Sequence, residues 1–249
     1  MCVKCIWEAR LLKPVLELAG VTAGYETTHV LENFSLSIAP GERLAIIGRN
    51  GAGKTTLLST IMGLTRMHRG TIALKGASIE MLPPHRRAAL GLGLVPQTRD
   101  IFPSLTVEEN LRAVARPDRS LEEAYSLFPR LKERRRNGGL QLSGGEQQML
   151  SIARTLLTGA DILLLDEPLE GLAPVICEQL MRVFEDLAAS GRTVMLVEQH
   201  VNAALAFAER AVLIGNGALV HDGPATALML NTELLNRHVG VSLAHDERT

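Results

Sequence analysis

A glycine-rich segment that begins at Gly48 has the residue types that can wrap a backbone around phosphate groups. It consists of Gly48, Arg49, Asn50, Gly51, Ala52, Gly53, Lys54 and Thr55, followed by Thr56. This order matches the GxxxxGK[ST] pattern of a phosphate-binding loop, with a strand pattern before it and a helical pattern after it. We expect Lys54 to reach the β- and γ-phosphates of a nucleotide and Thr55 to place its hydroxyl on Mg²⁺. A glycine-rich turn that merely precedes a lysine is the alternative.

Two adjacent carboxylates, Asp166 and Glu167, follow an unbroken apolar run from Ile162 to Leu165. Such a run predicts a buried strand, and open α/β sheets bind their ligands at the carboxyl ends of their strands. We expect Asp166 to hold the Mg²⁺ shell and Glu167 to orient and deprotonate the attacking water. An acidic pair that merely ends a strand is the alternative, and the phosphate loop makes it the weaker one.

A third segment carries Ser143, Gly144, Gly145 and Glu146 in a row. Ser143 and Glu146 have the spacing of a capping box that opens a helix over Gln147 to Leu157. A cap does not require Gly144 and Gly145, which allow a ligand to approach the backbone N–H groups at that helix start. The segment therefore predicts a second phosphate-binding surface.

The elements that must position these residues alternate between strand and helix patterns. Apolar runs that predict buried parallel strands are Arg43 to Ile47, Leu92 to Val95, Ile162 to Leu165, Thr193 to Val197 and Ala211 to Ile214. Apolar residues at three- and four-residue spacing predict helices over Lys54 to Leu64, Gln147 to Leu157 and Val175 to Ala189. The alternation predicts an α/β fold with a mainly parallel sheet.

Two parts of the chain depart from this alternation. Short apolar or alternating runs near the start predict a small antiparallel sheet, at Val15 to Leu18, Leu31 to Ile38 and Thr71 to Leu74. Helix-like patterns at Val107 to Val114 and Ser120 to Leu127, the latter ending near Pro129, predict an inserted helical subdomain over about residues 98–141.

Length and composition restrict the class of protein. The 249 residues, 46% hydrophobic and 21% charged, are typical of one large globular domain. A formal net charge of -1 gives no attraction to nucleic acid, so we expect no nucleic-acid partner. No apolar window approaches the roughly 18 residues of a membrane span. The three cysteines form no disulfide framework, and Cys2 and Cys5 lack the further ligands of a zinc site, which favours a cytoplasmic protein.

Together these segments resemble the ABC ATPase family, over about Leu16 to Pro224. The resemblance implies a P-loop NTPase core with a mainly parallel sheet, a small antiparallel β subdomain and an inserted α-helical subdomain. It places this ATPase domain at residues 15–240, between an N-terminal extension (1–14) and a tail (241–249). It also implies hydrolysis of ATP with Mg²⁺, and closure of each nucleotide site by the Ser143 segment of a second ABC ATPase subunit, like or unlike.

The resemblance assigns roles to four further residues. Tyr25 corresponds to the aromatic residue that stacks on adenine. Gln97 corresponds to the Q-loop glutamine, which senses Mg²⁺ as a metal-site residue and contacts the inserted helices. Counting back from residues 208–210 places Gln199 at the switch position, one residue before His200. Either side chain remains a candidate for contacting the γ-phosphate in catalysis.

Further segments resemble the ATPases of high-affinity branched-chain amino-acid importers of the F type, with urea and short-chain amide importers as similar systems. These segments are Leu82 to Arg87, Ile101 to Leu111, Leu127 to Arg134, Glu170 to Pro174 and Val197 to Gln199. The resemblance implies two membrane-spanning permease subunits, a periplasmic solute-binding protein as an indirect partner, and a peripheral position on the inner face of the cell membrane. We expect Phe102 either to dock into the membrane subunits or to pack in the core. A cytosolic ABC ATPase without a transport role is the rival class.

Overall fold

The structure is a computed structural model that describes residues 13–240. Cys2, Cys5, the predicted extension up to residue 12 and the predicted tail 241–249 lie outside the described residues. The strands are β1 (Leu16–Tyr25), β2 (Thr28–Ile38), β3 (Arg43–Ile47), β4 (Arg66–Leu74), β5 (Ala77–Ser78), β6 (Leu92–Val95), β7 (Ile162–Asp166), β8 (Thr193–Val197), β9 (Arg210–Gly215) and β10 (Ala218–Pro224).

Helices connect most of these strands. They are α1 (Lys54–Met62), α2 (Pro84–Ala89), α3 (Val107–Arg112), α4 (Leu121–Leu127), α5 (Pro129–Glu133), α6 (Gly144–Leu157), α7 (Pro174–Ala189), α8 (Val201–Phe207), α9 (Ala225–Leu230) and α10 (Thr232–His238). Among residues 13–240, no helix is both long enough and apolar enough to cross a membrane.

The core sheet has six strands in the order β10-β9-β3-β8-β7-β6. All neighbouring pairs are parallel except β9 and β10, which form an antiparallel hairpin at one edge. The predicted α/β fold with a mainly parallel sheet is therefore confirmed. Because β3, β8 and β7 lie side by side and run in the same direction, the loops that follow them meet at one edge of the sheet.

Alternate residues of each core strand pack into separate hydrophobic clusters. In β7, Leu163 and Leu165 pack with buried side chains of α6 and α7. Ile162 and Leu164 pack with α1 and with the inner face of β1 and β2. Both faces of β3, β6, β7, β8 and β9 are covered, which explains why these strands are apolar at most positions, whereas the edge strand β10 is largely exposed.

The second sheet has four strands in the order β2-β1-β4-β5, all antiparallel. It forms near the start of the chain as predicted, but its strands are longer than the apolar runs. β4 begins at Arg66, whereas the apolar pattern begins only at Thr71. The pattern misses the first half of β4 because that half is largely exposed and polar. An antiparallel sheet can leave one face in water, so polarity is a poor guide to where such a strand begins.

The helices α3, α4 and α5 lie within residues 98–141. Capping boxes at Thr106 and Ser120 start α3 and α4, and both helices form where the pattern predicts them. A helix was expected to end near Pro129, but α5 also begins there. Proline at the first helical position lacks only an N–H group that would be unpaired anyway, so it can start a helix as well as stop one.

A turn between β9 and β10 joins the two sheets to the phosphate loop. The N–H of Gly217 donates to the carbonyl oxygen of Ala52 at 2.9 Å, and its own carbonyl accepts from the N–H of Glu32 at 3.1 Å. Gly217 has a φ of 76°, and a Cβ there would lie 1.8 Å from the carbonyl oxygen of Val30. The turn can approach β2 this closely only with glycine.

We predict that Gly217→Ala lowers the free energy of unfolding by more than about 2 kcal/mol, because it adds a backbone clash to an unfavourable φ. Gly191→Ala is the matched control, since Gly191 has a φ of 91° but open space around its Cβ position. The control should cost only about 1 kcal/mol. Urea unfolding of the two variants measures the difference, and equal losses would show that the close approach to Val30 is unimportant.

Candidate functional site

The phosphate loop connects the end of β3 to the start of α1, at the carboxyl edge of the core sheet. Gly53 precedes α1 with a φ of 107°, and Gly51 has a φ of 79°. A Cβ on Gly48 would lie 2.5 Å from the carbonyl oxygen of Ile214. A side chain at any of these positions would strain or displace the backbone, which accounts for the glycines of the motif. Of the other loop residues, Arg49, Asn50 and Thr55 are exposed, and Ala52 and Thr56 are buried.

Lys54 is buried at the first position of α1, and its ammonium group folds back over the loop. Nζ donates to the carbonyl oxygens of Gly48 at 2.9 Å and Arg49 at 3.2 Å. It also lies 3.6 Å from Oε1 of Glu167. The start of α1 adds the positive end of the helix dipole. The loop therefore concentrates positive charge where phosphates can bind, and phosphate oxygens can replace the two carbonyl partners of the lysine.

The acidic pair lies beside the loop because β7 and β3 end at the same edge. Oδ1 of Asp166 accepts a hydrogen bond from the Thr55 hydroxyl at 3.2 Å. Glu167 has a φ of 47°, a left-handed conformation that costs a residue with a side chain about 1 kcal/mol or more. Its N–H donates to the carbonyl oxygen of Val197 at the end of β8, at 2.9 Å. Backbone strain held in this way is frequent where a side chain must be aimed.

Negative charge at this edge is incompletely balanced. Burial raises the pKa of Asp166 to about 6, and the charges of Glu167 and Glu198 add to the rise, while Thr55 and Lys54 oppose it. Within residues 13–240 no cluster of three or more His, Cys, Asp or Glu side chains is arranged as a metal site. A carboxylate and a hydroxyl are nevertheless the oxygen donors that Mg²⁺ takes when phosphates and water supply its other ligands. The donor set therefore fits Mg²⁺ bound together with a nucleotide.

Two amide side chains converge on the Glu167 carboxylate. Nε2 of Gln199 donates to Oε2 at 2.6 Å, and Nε2 of Gln97 donates to the same oxygen at 3.2 Å. Gln97 also donates to the carboxylate of Glu170. His200 does not join this group, since its Nδ1 lies 3.2 Å from Oε2 of Glu198 and its side chain is 63% exposed. Of the two candidates for the switch position, the structure brings Gln199 and not His200 to Glu167.

Tyr25 lies at the end of β1 and is half exposed. It belongs to the β1–β2 hairpin, and Val30 and Leu31 of that hairpin lie against Gly53 of the phosphate loop. The predicted adenine-stacking side chain is therefore carried by the element that borders the loop.

The Ser143 segment forms the start of α6 and has both bonds of a capping box. Ser143 Oγ accepts from the N–H of Glu146 at 3.3 Å, and Glu146 Oε2 accepts from the N–H of Ser143 at 2.8 Å. Because Ser143 is the cap, α6 begins at Gly144, three residues before the predicted start. Glu146 is also paired with Arg130 at 3.0 Å and Arg134 at 3.5 Å. Ser143 itself is exposed, and Gly144 and Gly145 are partly exposed, so this surface is open to another molecule.

Two acidic residues near the site were not singled out by the sequence analysis. Glu170 binds Gln97, and Glu198 is almost fully buried between the ends of β7 and β8. The sequence could have indicated Glu198, because an acidic residue directly after a buried apolar strand needs hydrogen bonds from within the protein. For Glu170 the signal is absent, since a single acidic residue in a loop is ordinary.

Comparison with known proteins finds related ATP-binding subunits over most of the chain. A family model described as ABC transporter matches residues 31–170. The chain is 38% identical over 232 residues to the high-affinity branched-chain amino acid transport ATP-binding protein BraG of Pseudomonas aeruginosa, covering 91% of this chain and 100% of that one. It is 33% identical over 234 residues to the lipopolysaccharide export system ATP-binding protein LptB of Haemophilus influenzae, covering 91% and 97%.

A solved structure has the same fold. The ATP-binding cassette MJ0796, in a dimeric post-hydrolysis state bound to ADP and Pi, superposes with a TM-score of 0.76 at 27% identity. The match covers 84% of this chain and 98% of that one.

We predict that Asp166→Asn stabilises the nucleotide-free chain by about 1–2 kcal/mol at pH 7.5 in a chelating buffer. The folded-state pKa of about 6 lies above the ordinary 3.8. The folded chain therefore binds this proton more tightly than the unfolded chain, so stability falls as the pH rises from 3.8 to about 6, and the full cost of ionising Asp166 is present above that pH. Asparagine removes that cost and keeps an acceptor for Thr55. Urea unfolding at pH 7.5 and at pH 5 measures the gain, which should shrink at the lower pH. A loss of stability at pH 7.5 would contradict the electrostatic interpretation.

Proposed function

The chain belongs to the ATP-binding subunits of the ABC transporter family, and we propose on that premise that it powers the uptake of branched-chain amino acids through separate membrane subunits. Membership of the family makes it an ATPase. The proposed mechanism rests on the meeting of Lys54, Asp166 and Glu167 at one edge of the core sheet. Lys54 lies 3.6 Å from Glu167, and Asp166 lies 3.2 Å from the hydroxyl of Thr55. The solute is supported by the identity to BraG and by the segments shared with that class of importer.

Each residue at this edge has a distinct task in ATP hydrolysis. The phosphate loop and Lys54 bind the triphosphate, and Tyr25 stacks on adenine. Thr55 and Asp166 would hold Mg²⁺, and Gln97 would sense it. Mg²⁺ would supply positive charge that stabilises the departing ADP.

Glu167 is the base in this mechanism. Its carboxylate accepts a proton from the attacking water, while the phosphoryl group moves from ADP to that water. Gln199 donates to Oε2 of Glu167, which fixes the direction of the carboxylate. A glutamine at this position can also donate to the γ-phosphate without titrating, so it does not need the protonation that a histidine would.

A second subunit is required to complete each site. The Ser143 segment is exposed, and its partners within the chain belong to the helical subdomain rather than to the phosphate loop. The N–H groups of Ser143 and Glu146 are used in the capping box, so we assign those of Gly144 and Gly145 to the γ-phosphate of a nucleotide held by another ABC ATPase subunit, like or unlike. The dimeric state of MJ0796 supports this arrangement.

The helical subdomain offers a docking surface for the permease subunits. Phe102 is 42% exposed, and the Arg154 guanidinium lies 4.3 Å from the centre of its ring. A phenylalanine in the core would be covered, so the exposure favours the docking role. Such docking would hold the chain at the inner face of the membrane.

A second candidate solute class follows from the similarity to LptB. LptB, the ATP-binding protein of a lipopolysaccharide export system, is 33% identical to this chain, and its match covers as much of this chain as that of BraG does. The two candidates differ in their permease subunits and in what stimulates hydrolysis.

We predict that Glu167→Gln lowers kcat for ATP at least a hundredfold and accumulates an ATP-bound dimer, because the base is lost while the phosphate contacts remain. Size-exclusion chromatography in the presence of ATP measures the dimer, and the rate of phosphate release measures kcat. Glu185→Gln, an exposed change on α7, is the control and should behave as the unaltered chain does. Hydrolysis by Glu167→Gln at the normal rate would remove Glu167 from the role of base.

The solute is tested in proteoliposomes that contain the chain with its permease subunits. We predict that a leucine-loaded solute-binding protein stimulates ATP hydrolysis several-fold. We also predict that labelled leucine crosses to the side of the membrane opposite the solute-binding protein. The ligand-free binding protein is the control. Stimulation by lipopolysaccharide with none by leucine would favour the export candidate instead.

A further inference from the structure

Glu198 is a carboxylate for which the mechanism above has no task. It follows β8 directly and is 1% exposed. A buried carboxylate is costly unless hydrogen bonds compensate it. In residues 13–240 its only ion-pair partner is His200, an exposed side chain, and no lysine or arginine is within salt-bridge distance. Its burial therefore depends on hydrogen bonds from the protein around it.

Those hydrogen bonds come from two loops at once. Oε1 accepts the N–H of Leu169 at 2.9 Å. Oε2 accepts the N–H of Gln199 at 3.2 Å and of His200 at 3.4 Å, and it contacts the His200 ring. The first partner lies two residues after Glu167, and the second is the residue whose amide contacts Glu167. One side chain thus joins the loop after β7 to the loop after β8.

The end of β8 holds the Glu167 turn on both sides. Before the turn, the N–H of Glu167 donates to the carbonyl oxygen of Val197. After it, the N–H of Leu169 donates to Glu198, and the Leu169 side chain is buried. Glu167 has a left-handed φ of 47° between these two anchors. A residue in that conformation stays there only while its neighbours hold it.

The chemistry of these contacts requires a carboxylate. All the backbone partners are N–H donors, so both oxygens of Glu198 must accept. Glutamine has the same shape but only one accepting oxygen, and its NH₂ group would face an N–H group. Glu198→Gln would therefore release one of the two loops without leaving a cavity.

We propose that Glu198 is a positioning residue for ATP hydrolysis, which sets the Glu167 carboxylate against Gln199 by fixing both loops. The proposal rests on the proposed role of Glu167 as base. Glu198 hydrogen-bonds to Leu169, Gln199 and His200 and to none of the phosphate-loop residues, Thr55 or Asp166. Its hydrogen bonds therefore act on the water-activating step and not on nucleotide binding.

The test compares Glu198→Gln with the unaltered full chain in the same assembled complex. We expect kcat to fall at least tenfold with KM for ATP within about twofold, because a misdirected base slows chemistry without weakening the phosphate contacts. In a Glu167→Gln background, Glu198→Gln should cause no further fall, since it acts through the missing base. Glu42→Gln is the control, because Glu42 is a mostly buried carboxylate that is paired with Arg210 and lies at the end of β3 away from the phosphate loop.

A purely structural role would give a different result. Glu198→Gln would then lower stability as Glu42→Gln does, leave kcat unchanged in the folded fraction, or add its effect to that of Glu167→Gln. Any of these outcomes overturns the proposal. If Glu198→Gln does not fold, Glu198→Asp keeps both accepting oxygens on a shorter arm, and its kcat should fall at least threefold at unchanged KM; a normal kcat overturns the proposal. If Glu167→Gln itself hydrolyses ATP normally, the proposed function fails, and not this inference alone.

Discussion

The arrangement depends on three neighbouring parallel strands, β3, β8 and β7, that end at the same edge of the core sheet. They bring a lysine and three buried carboxylates together, namely Lys54, Asp166, Glu167 and Glu198. Burial raises the pKa of Asp166, and the charges of Glu167 and Glu198, which one buried ammonium group cannot balance, raise it further. A divalent cation beside Asp166 would supply positive charge at this edge. Without nucleotide, these buried charges make the chain less stable than apolar side chains at the same edge would. In the proposed mechanism, that loss of stability accompanies the placement of charged groups for phosphoryl transfer.

Hydrogen bonds between loops fix the orientation of the carboxylates at this edge. The Thr55 hydroxyl holds Asp166, and Gln199 and Gln97 hold Glu167. Behind them, Gly217 fixes the phosphate loop to β2. The backbone of the Glu167 turn is anchored at the end of β8, through Val197 and Glu198. In the proposed mechanism, hydrolysis therefore depends most on the β7–β8 pair, and binding of the triphosphate depends on β3 and α1.

The parts of this fold that could be predicted are those with a local cause. Apolar runs identified β3, β6, β7, β8 and β9, because a strand buried on both faces has no polar positions. The phosphate loop was recognisable because its glycines and Lys54 have fixed spacing. Contacts between loops far apart in the chain could not be predicted in the same way. The choice between Gln199 and His200 depends on which side chain points back over β7, and the burial of Glu198 depends on Leu169, 29 residues away. Similarly, the start of β4 was placed too late because its first residues are largely exposed, and α5 was not predicted because a proline can mark the end of a helix as well as its start.

In the proposed mechanism, the Ser143 segment of one chain completes the nucleotide site formed by the glycine loop of another. The most direct measurement is a structure of the assembled chain with Mg²⁺ and a non-hydrolysable ATP analogue. We expect Lys54 to leave the carbonyl oxygens of Gly48 and Arg49 for phosphate oxygens, and the Gly144 and Gly145 N–H groups of a second subunit to contact the γ-phosphate. A fully occupied phosphate loop with no second subunit near the γ-phosphate, in a preparation that hydrolyses ATP at its full rate, would contradict it.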